Sequence, residues 1–295
     1  MRFEFIARHT HEFRVTIMCR VLQVSRAGYY AWCRRPESKR RKHDYSLAAK
    51  IRAVYSWSKR RYGSPRIAKE LRVTARAEAS RKRVARLMRE EGLRAKGARK
   101  FRVTTNSQHS SPIADNVLDR NFRVDTIEQT NRVWASDITY IRTREGWLYL
   151  AIVLDLASRR VVGWSLRKRL DQELAISALK MALKHRRPRA GGLHHSDRGV
   201  QYASSAYQQL LSEVGFKPSM SRSGNCWDNA VAESFFATLK KELLSDGDFI
   251  SREIASREIF EFIEIWYNRQ RRHSSLGYQT PIEYEEEMLK KQTAA

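Results

Sequence analysis

Residues 146–156, GWLYLAIVLDL, are almost entirely apolar. A strand with one solvent-exposed face alternates polar and apolar residues. This apolar run therefore predicts a strand that is covered on both faces. Strand-like segments stand on either side of it, RVWASDITYIR before and RRVVGWSL after. The connections are short, which predicts an antiparallel meander of three strands.

Helices and strands alternate after the meander. DQELAISALKMALKHR predicts an amphipathic helix, GGLHHSD a short strand, and SSAYQQLLSEVG a helix that stops at Gly215. FKPSMS is a further strand candidate, and NAVAESFFATLKKELL predicts a long helix. This order predicts an α/β fold, a mixed sheet with helices packed on it.

Positive charge is concentrated at the start of the chain. The net charge is +25, and residues 1–102 carry 30 Lys and Arg against 8 Asp and Glu. The remaining residues carry 27 against 24, so they are nearly neutral. This asymmetry indicates a basic module that grips a polyanion, for which a phosphate backbone is the obvious candidate. The alternative is a soluble protein that is merely basic, or one associated with the ribosome.

The basic region, residues 1–102, reads as short helices. Ser25 is a predicted N-cap that opens a second helix after a brief turn, with Arg26 on that helix. The spacing is typical of a helix-turn-helix. A further helix is predicted after Ser80, with an apolar stripe and the basic residues Arg81 and Arg83. We expect these arginines to contact DNA, although a solvated face on a helical bundle has the same composition.

Three carboxylates stand out in the second part of the chain. Asp137 lies inside a predicted strand, where Asp is disfavoured, and Asp197 lies where another strand ends. Glu233 lies in the last long helix, where a helical wheel places Asn229 and Lys240 on the same face. Clustered carboxylates raise one another's pKa unless a cation is present, and Mg²⁺ or Mn²⁺ prefers such oxygen ligands. Taken singly, each residue could equally be structural.

The motifs WASDITYI, HHSDRGVQYAS, SGNCWDNAVAESFFATLKKEL and IEIWYNRQRRHSSLGYQTPIEY resemble the DDE transposases of bacterial insertion sequences. The best match is the second-reading-frame type of the insertion-sequence-three family, related to retroviral integrases. Between Asp197 and Glu233 lie 35 residues, the spacing of that family, and Lys240 also matches. The resemblance covers nearly the whole chain.

The resemblance implies an RNase H-like catalytic core preceded by an all-α helix-turn-helix region. Asp137, Asp197 and Glu233 would be the catalytic residues and the ligands of two Mg²⁺ ions, or of Mn²⁺. Water would cleave DNA at a transposon end, and the freed 3′-hydroxyl would attack a second phosphodiester. Lys240, Asn229 and Trp227 would contact the DNA.

The expected domains are a basic helical region (1–102), a linker (103–131), a catalytic core (132–245) and a C-terminal helix with a basic tail (246–295). The partners implied are double-stranded DNA, at terminal repeats and target, and further copies of the chain on that DNA. An upstream-frame partner is also implied, since no heptads are evident. Arg269, Arg271, Arg272 and His273 either touch DNA or form a solvated tail.

The hydropathy pattern and the cysteines limit the classes of protein to which this chain can belong. No stretch approaches roughly 18 consecutive apolar residues, so no membrane span is expected. Three scattered cysteines form no zinc motif or disulfide framework, which fits a reducing cytoplasm. The resemblance implies a bacterial cytoplasm and association with the nucleoid. Two other functions stay open: a DNA-binding regulator with an inactive core, and an RNase H-type nuclease that does not join strands.

Overall fold

A computed structural model describes residues 1–97, 113–122, 124, 127, 129–222 and 226–293, with the backbone alone for residues 226, 227 and 246. The chain begins with three short helices, α1 (Arg2–Arg8), α2 (Val15–Val21) and α3 (Arg26–Arg34). Ser25 caps α3, because its hydroxyl accepts the backbone N–H of Gly28 over 3.0 Å, as predicted. These helices share a small buried core of their own, made of Ile6, Met18, Cys19 and Tyr29.

A second helical module follows, comprising α4 (Lys39–Trp57), α5 (Ser64–Thr74) and α6 (Arg81–Glu90). The Ser80 hydroxyl caps α6 by accepting the backbone N–H of Arg83 over 3.2 Å, which confirms the predicted start. The predicted apolar stripe of α6 is buried. Its residues belong to a different core from that of α1–α3, so the basic region contains two packed units rather than one.

The sheet has five strands in the order β3–β2–β1–β4–β5. Strands β1 to β3 pair antiparallel, as the meander predicts, and β4 pairs in parallel with β1 and β5 in parallel with β4. The mixed α/β sheet is therefore confirmed. The strands are β1 (Val133–Thr143), β2 (Gly146–Asp155), β3 (Val161–Arg167), β4 (Leu193–Ser196) and β5 (Lys217–Met220).

Strand β2 is covered on both faces, as its apolar run predicts. Leu150 and Ile152 lie in one buried cluster, while Ala151 and Val153 lie in the other. The second cluster also contains helices α7 and α9, and the first contains α10 and the helices after it. The helices are α7 (Gln172–Arg186), α8 (Val200–Ala203), α9 (Ser205–Glu213), α10 (Ala230–Glu242), α11 (Arg252–Phe260), a π-helix that continues α11 (Glu261–Gln270), and α12 (Pro281–Thr293).

The segment expected as a linker is only partly separate from the core. Residues 103–112 lie outside the described residues. Farther along, Leu118 is 6% exposed, and the backbone N–H groups of Val117 and Leu118 donate to the Ser219 hydroxyl on β5. The polar composition hid this packing, because one buried leucine and two backbone hydrogen bonds leave no periodic signal.

The basic cluster near the C-terminus is mostly buried, so the expectation of a DNA contact or a solvated tail is wrong for three of its four residues. Arg271, Arg272 and His273 are each 6% exposed, whereas Arg269 is exposed. The Arg271 side chain pairs with Glu242 at the end of α10 over 2.9 Å. Arg272 pairs over 2.5 Å with a glutamate of α5, Glu70. Buried arginines need such partners, and these come from distant parts of the chain.

The second helical module and the sheet share one continuous buried cluster. Tyr62 and Ile67 of that module belong to it together with Ile152 of β2 and Phe235 of α10. The module is therefore packed onto the face of the sheet that α10 also covers. Among the described residues, no helix combines the length and apolar character needed to cross a bilayer.

Candidate active site

Two neighbouring strands bring Asp137 and Asp197 together. In the parallel pairing of β1 with β4, Ala135 lies opposite His195. Each aspartate follows its strand's paired residue by two positions, so the carboxylates lie level with each other and on the same face of the sheet. Asp137 accepts the backbone N–H of Ile138 over 2.8 Å, and Asp197 accepts that of Gly199 over 2.9 Å. The pairing of β1 with β4 therefore brings the two aspartates to one place on the sheet.

Helix α10 packs against β1 and adds Glu233 and Lys240 to this face. The apolar side of α10 is buried, as the helical wheel predicts, with Phe235 and Leu239 in the core. Glu233 and Lys240 are both only partly buried. The negative charges of Asp197 and Glu233 and the positive charge of Lys240 all act on Asp137.

The electrostatics of this group are those of an uncompensated acidic cluster. Burial, followed by the charges of Asp197 and Glu233, holds the pKa of Asp137 well above its usual range. Burial and the Asp197 charge also raise the pKa of Glu233. Burial lowers the pKa of Lys240, against the pull of Asp137. One lysine therefore does not neutralise the three carboxylates, and a cation would relieve their repulsion.

The carboxylates are not drawn in around a single point. In the part of the chain that the structure describes, no three His, Cys, Asp or Glu side chains are close enough to hold one metal ion. The donor set still suits a hard divalent cation, because all three side chains supply carboxylate oxygens. All three side chains could hold one ion only if they moved closer together.

Asn229 is buried, at 5% exposure, which does not fit the predicted contact with DNA. Its side-chain amide donates to the backbone carbonyl of Ser136 over 3.2 Å. Ser136 immediately precedes Asp137, so this bond links the start of α10 to the strand that carries the first carboxylate. The side chain of Trp227, another predicted contact, lies outside the described residues.

The predicted arginines of the basic region are in two situations. Arg26 and Arg81 are exposed at the first turns of α3 and α6, where a DNA backbone could reach them. Arg83 is instead half-buried, and its guanidinium pairs with Asp44 of α4 over 2.6 Å. Asp44 holds Arg86 as well, over 2.7 Å, so it fixes α6 against α4. Arg83 therefore has a packing role in this structure.

The histidines of the HHSD motif are structural. His194 lies 2.9 Å from both the Ser136 and Tyr207 hydroxyls, and His195 lies 2.9 Å from the Ser219 hydroxyl. Burial lowers the pKa of His194 to about 3 and that of His195 to about 4. Both are therefore neutral hydrogen-bonding groups beneath the carboxylates.

The two other buried aspartates also have structural partners. Asp228 lies 2.7 Å from Arg120 and 2.9 Å from Arg222, and these arginines lower its pKa. Asp155 accepts the backbone N–H groups that follow β2, at 2.9 Å from Ala157 and 3.0 Å from Ser158. Neither carboxylate belongs to the acidic group.

Two tyrosines near the carboxylates carry no sequence signal of their own. Burial raises the pKa of both Tyr140 and Tyr202, and the charges of Asp137 and Asp197 add to this effect. Tyr202 is 2% exposed, and its buried hydroxyl lacks a hydrogen-bond partner among the described residues. A tyrosine within an apolar segment is typical of a core position, so spacing alone does not single it out.

Comparisons with known proteins agree with this architecture. Residues 128–226 match an integrase core domain, residues 214–281 match a second integrase core domain model, and residues 42–101 match an HTH-like domain. Transposase InsF for insertion sequence IS3A of Escherichia coli (strain K12) is 44% identical over 291 residues, covering 98% of this chain and 100% of that protein.

Two further matches extend the comparison. The 31 kDa protein of insertion element IS600 from Shigella sonnei is 45% identical over 269 residues, covering 91% of this chain and 97% of that protein. Among solved structures, the simian T-cell lymphotropic virus intasome in complex with PP2A regulatory subunit B56 gamma aligns with a TM-score of 0.45 and 17% identity. That alignment covers 80% of this chain and 74% of the other.

Proposed function

We propose how this chain, which belongs to the IS3 family of insertion-sequence transposases, cuts and joins DNA. Asp137, Asp197 and Glu233 hold two divalent metal ions, Mg²⁺ or Mn²⁺, at the edge between β1, β4 and α10. Lys240 contacts the DNA phosphate beside them. The observation that carries this proposal is the placement of three carboxylates and one lysine on a single face, where burial and the charges of Asp197 and Glu233 raise the pKa of Asp137, and burial and the Asp197 charge raise that of Glu233.

The carboxylates have separate structural duties. The aspartates extend from the sheet, which fixes their separation through the hydrogen-bonded register of β1 and β4. Glu233 extends from a helix, so it can approach without breaking the sheet. When bound, divalent ions would activate the attacking oxygen and stabilise the leaving oxygen of a phosphodiester. Side chains held by a sheet supply the preorganisation that this chemistry needs.

Lys240 is placed to meet the substrate rather than the metal. It lies two helical turns beyond Glu233 on the same face of α10, and Asp137 attracts its charge. A lysine ammonium binds a phosphate as a point charge. We propose that it holds the scissile strand while the 3′-hydroxyl attacks.

DNA reaches this site with the help of the basic region. Arg26 and Arg81 are exposed there and serve as phosphate contacts, whereas Arg83 and Asn229 act through packing. The substrates are the two ends of the element and a target duplex, which requires at least two copies of the chain on the DNA. An upstream-frame polypeptide joins this assembly, which is bound to the nucleoid in the bacterial cytoplasm.

The test is strand transfer on labelled transposon-end DNA with Mg²⁺. Wild type is compared with Asp197→Asn and with Asp248→Asn, a matched change at an exposed carboxylate paired with Arg142. We expect joined products from wild type and Asp248→Asn and a loss of at least a hundredfold for Asp197→Asn. Equal joining by all three proteins contradicts the triad.

The same assay separates the two alternatives. Cleaved ends without joined products identify a nuclease. Salt-sensitive binding to the ends with neither product, even after the upstream-frame polypeptide is added, identifies a regulator with an inactive core.

A further inference from the structure

Helix α10 is anchored at both ends. At its start, Asn229 bonds to the strand that carries Asp137. At its end, Glu242 is 2% exposed, and its carboxylate accepts the Trp266 indole N–H over 2.9 Å. The same carboxylate accepts Nη2 and Nε of Arg271 over 2.9 and 3.0 Å. A buried carboxylate with three donors fixes the place where the helix ends.

The second helical module contributes to the far anchor. The Arg61 guanidinium donates through Nε to the backbone carbonyl of Glu242 over 3.2 Å. Lys96, which follows α6, donates to that carbonyl over 3.3 Å. The last carbonyls of a helix lack intrahelical partners and carry partial negative charge, so two cations complete this end of α10.

Arg61 is held in place by aromatic rings. It is 6% exposed, and its guanidinium carbon lies 4.8 Å from the Trp266 ring centre and 5.4 Å from that of Phe262. Both rings belong to the π-helix. Arg61 therefore joins three elements: its own module, the π-helix and the end of α10.

Further contacts hold the module against the π-helix. The Tyr62 hydroxyl donates to the Gln270 carbonyl over 3.0 Å, and its ring lies 5.3 Å from that of Trp266. The buried Glu70–Arg272 ion pair lies in the same contact between the second helical module and the C-terminal part of the chain. The module is thus a packed part of the protein and not only a tethered reader of DNA.

We infer that Arg61 is a positioning residue for strand transfer: by completing the end of α10, it sets where Lys240 and Glu233 lie. This inference rests on the proposed roles of those two residues. Glu242 follows Lys240 by two residues and Glu233 by nine, about 3 and 14 Å along the helix. Without the far anchor, α10 would pivot on its bond to β1, and Lys240 would move more than Glu233.

The experiment uses the full chain and three variants. Arg61→Met removes the positive charge, and with it the hydrogen bond to the Glu242 carbonyl and the cation–π contacts with the two rings. Arg61→Lys keeps the charge. Glu261→Gln is the control for the contact between this module and the π-helix, because it breaks an exposed ion pair with Lys59 and keeps the Arg61 side chain and its bond to α10. For each protein, strand transfer is measured against end-DNA concentration and against Mg²⁺, alongside DNA affinity by anisotropy and the melting temperature.

We expect Arg61→Met to join strands about tenfold more slowly at saturating DNA, since small misplacements of reacting groups are costly. Its affinity for end DNA stays within about twofold of wild type, because Arg61 is buried away from solvent. Its half-saturating Mg²⁺ rises, Arg61→Lys recovers part of the rate, and Glu261→Gln equals wild type. If Arg61→Met folds poorly, Lys96→Met shifts the same quantities less.

Wild-type rates and Mg²⁺ dependence in a folded Arg61→Met protein overturn the inference. A loss explained wholly by weaker DNA binding, or by a smaller folded fraction, overturns it as well. Failure of the proposed function is distinguishable, because then wild type itself would not join strands or Asp197→Asn would join them equally.

Discussion

The Asn229 side chain donates to the backbone carbonyl of Ser136 over 3.2 Å, and this bond connects the helix of Glu233 to the strand of Asp137. Each partner adjoins a functional element: Ser136 precedes Asp137, and Asn229 precedes the first residue of α10. The Asn229 Oδ1 atom is buried without a partner among the described residues. Asn229 thus keeps its bond to Ser136 although its Oδ1 atom is buried without a partner among the described residues, which indicates that the bond positions α10 against β1.

Asn229→Asp is expected to slow strand transfer about tenfold, because a carboxylate keeps the shape of the side chain but cannot donate to Ser136. It also adds a negative charge near three others. Asn229→Ala should cost about 1 kcal/mol of unfolding free energy and slow joining to a similar degree. Denaturant titration and single-turnover joining measure the two effects. Unchanged joining in both variants would remove the positioning role.

Asp137→Asn is expected to raise the melting temperature by a few degrees at neutral pH without divalent ions. Burial, with the charges of Asp197 and Glu233, raises the pKa of Asp137 in the folded state, so the stability that this carboxyl contributes is full below its ordinary value of 3.8 and is lost as the pH rises toward the raised value. Mg²⁺ should stabilise wild type and leave the variant unchanged. Calorimetry with and without Mg²⁺ tests both statements, and an equal response to Mg²⁺ would place the metal elsewhere.

The acid sensitivity of the fold should depend on His194. Its pKa is lowered to about 3, so the unfolded state binds a proton first as the pH falls below its ordinary value of 6.5. Full stability is thus present above 6.5 and is lost toward 3, at about 1.4 kcal/mol per pH unit. His194→Gln should be less stable at pH 7.5 but should lose less stability between pH 6 and 4.5. His185→Asn, a change at an exposed histidine, serves as the control.

Glu70→Ala is expected to destabilise the whole chain by about 3–5 kcal/mol, because it leaves Arg272 buried and unpaired. The double change Glu70→Leu with Arg272→Met should recover most of that loss, since it removes both charges. Urea unfolding should show one transition for wild type across the second helical module and the sheet. Separate unfolding transitions at Trp57 and at Trp164 would show that the contact between the second helical module and the sheet is weak.

Local rules predict much of this fold. Ser25 and Ser80 cap their helices because a serine hydroxyl satisfies a free N–H wherever a helix begins. The two-sided burial of β2 follows from its apolar run. The face shared by Glu233 and Lys240 follows from the helical period. Each of these depends on residues that are neighbours in sequence or on one regular element.

The remainder depends on distant partners. Arg271 and Arg272 look like a solvated basic stretch until Glu242 and Glu70 are brought to them by the fold. The same holds for Asn229, which shares the exposed-looking side of α10 in a helical wheel but lies at its buried start. A charged residue that is buried needs a partner, but the sequence around it does not show where in the chain that partner lies.

The buried cluster that contains Tyr62, Ile152 and Phe235 fixes the distance between the second helical module and the sheet. On the proposed function, a DNA segment held at the exposed start of α6 lies at a distance from Asp197 that this packing sets. The number of base pairs between the bound sequence and the cut phosphate is then a property of this core. Natural variants that repack it would cut at a shifted position without any change in the residues that touch DNA.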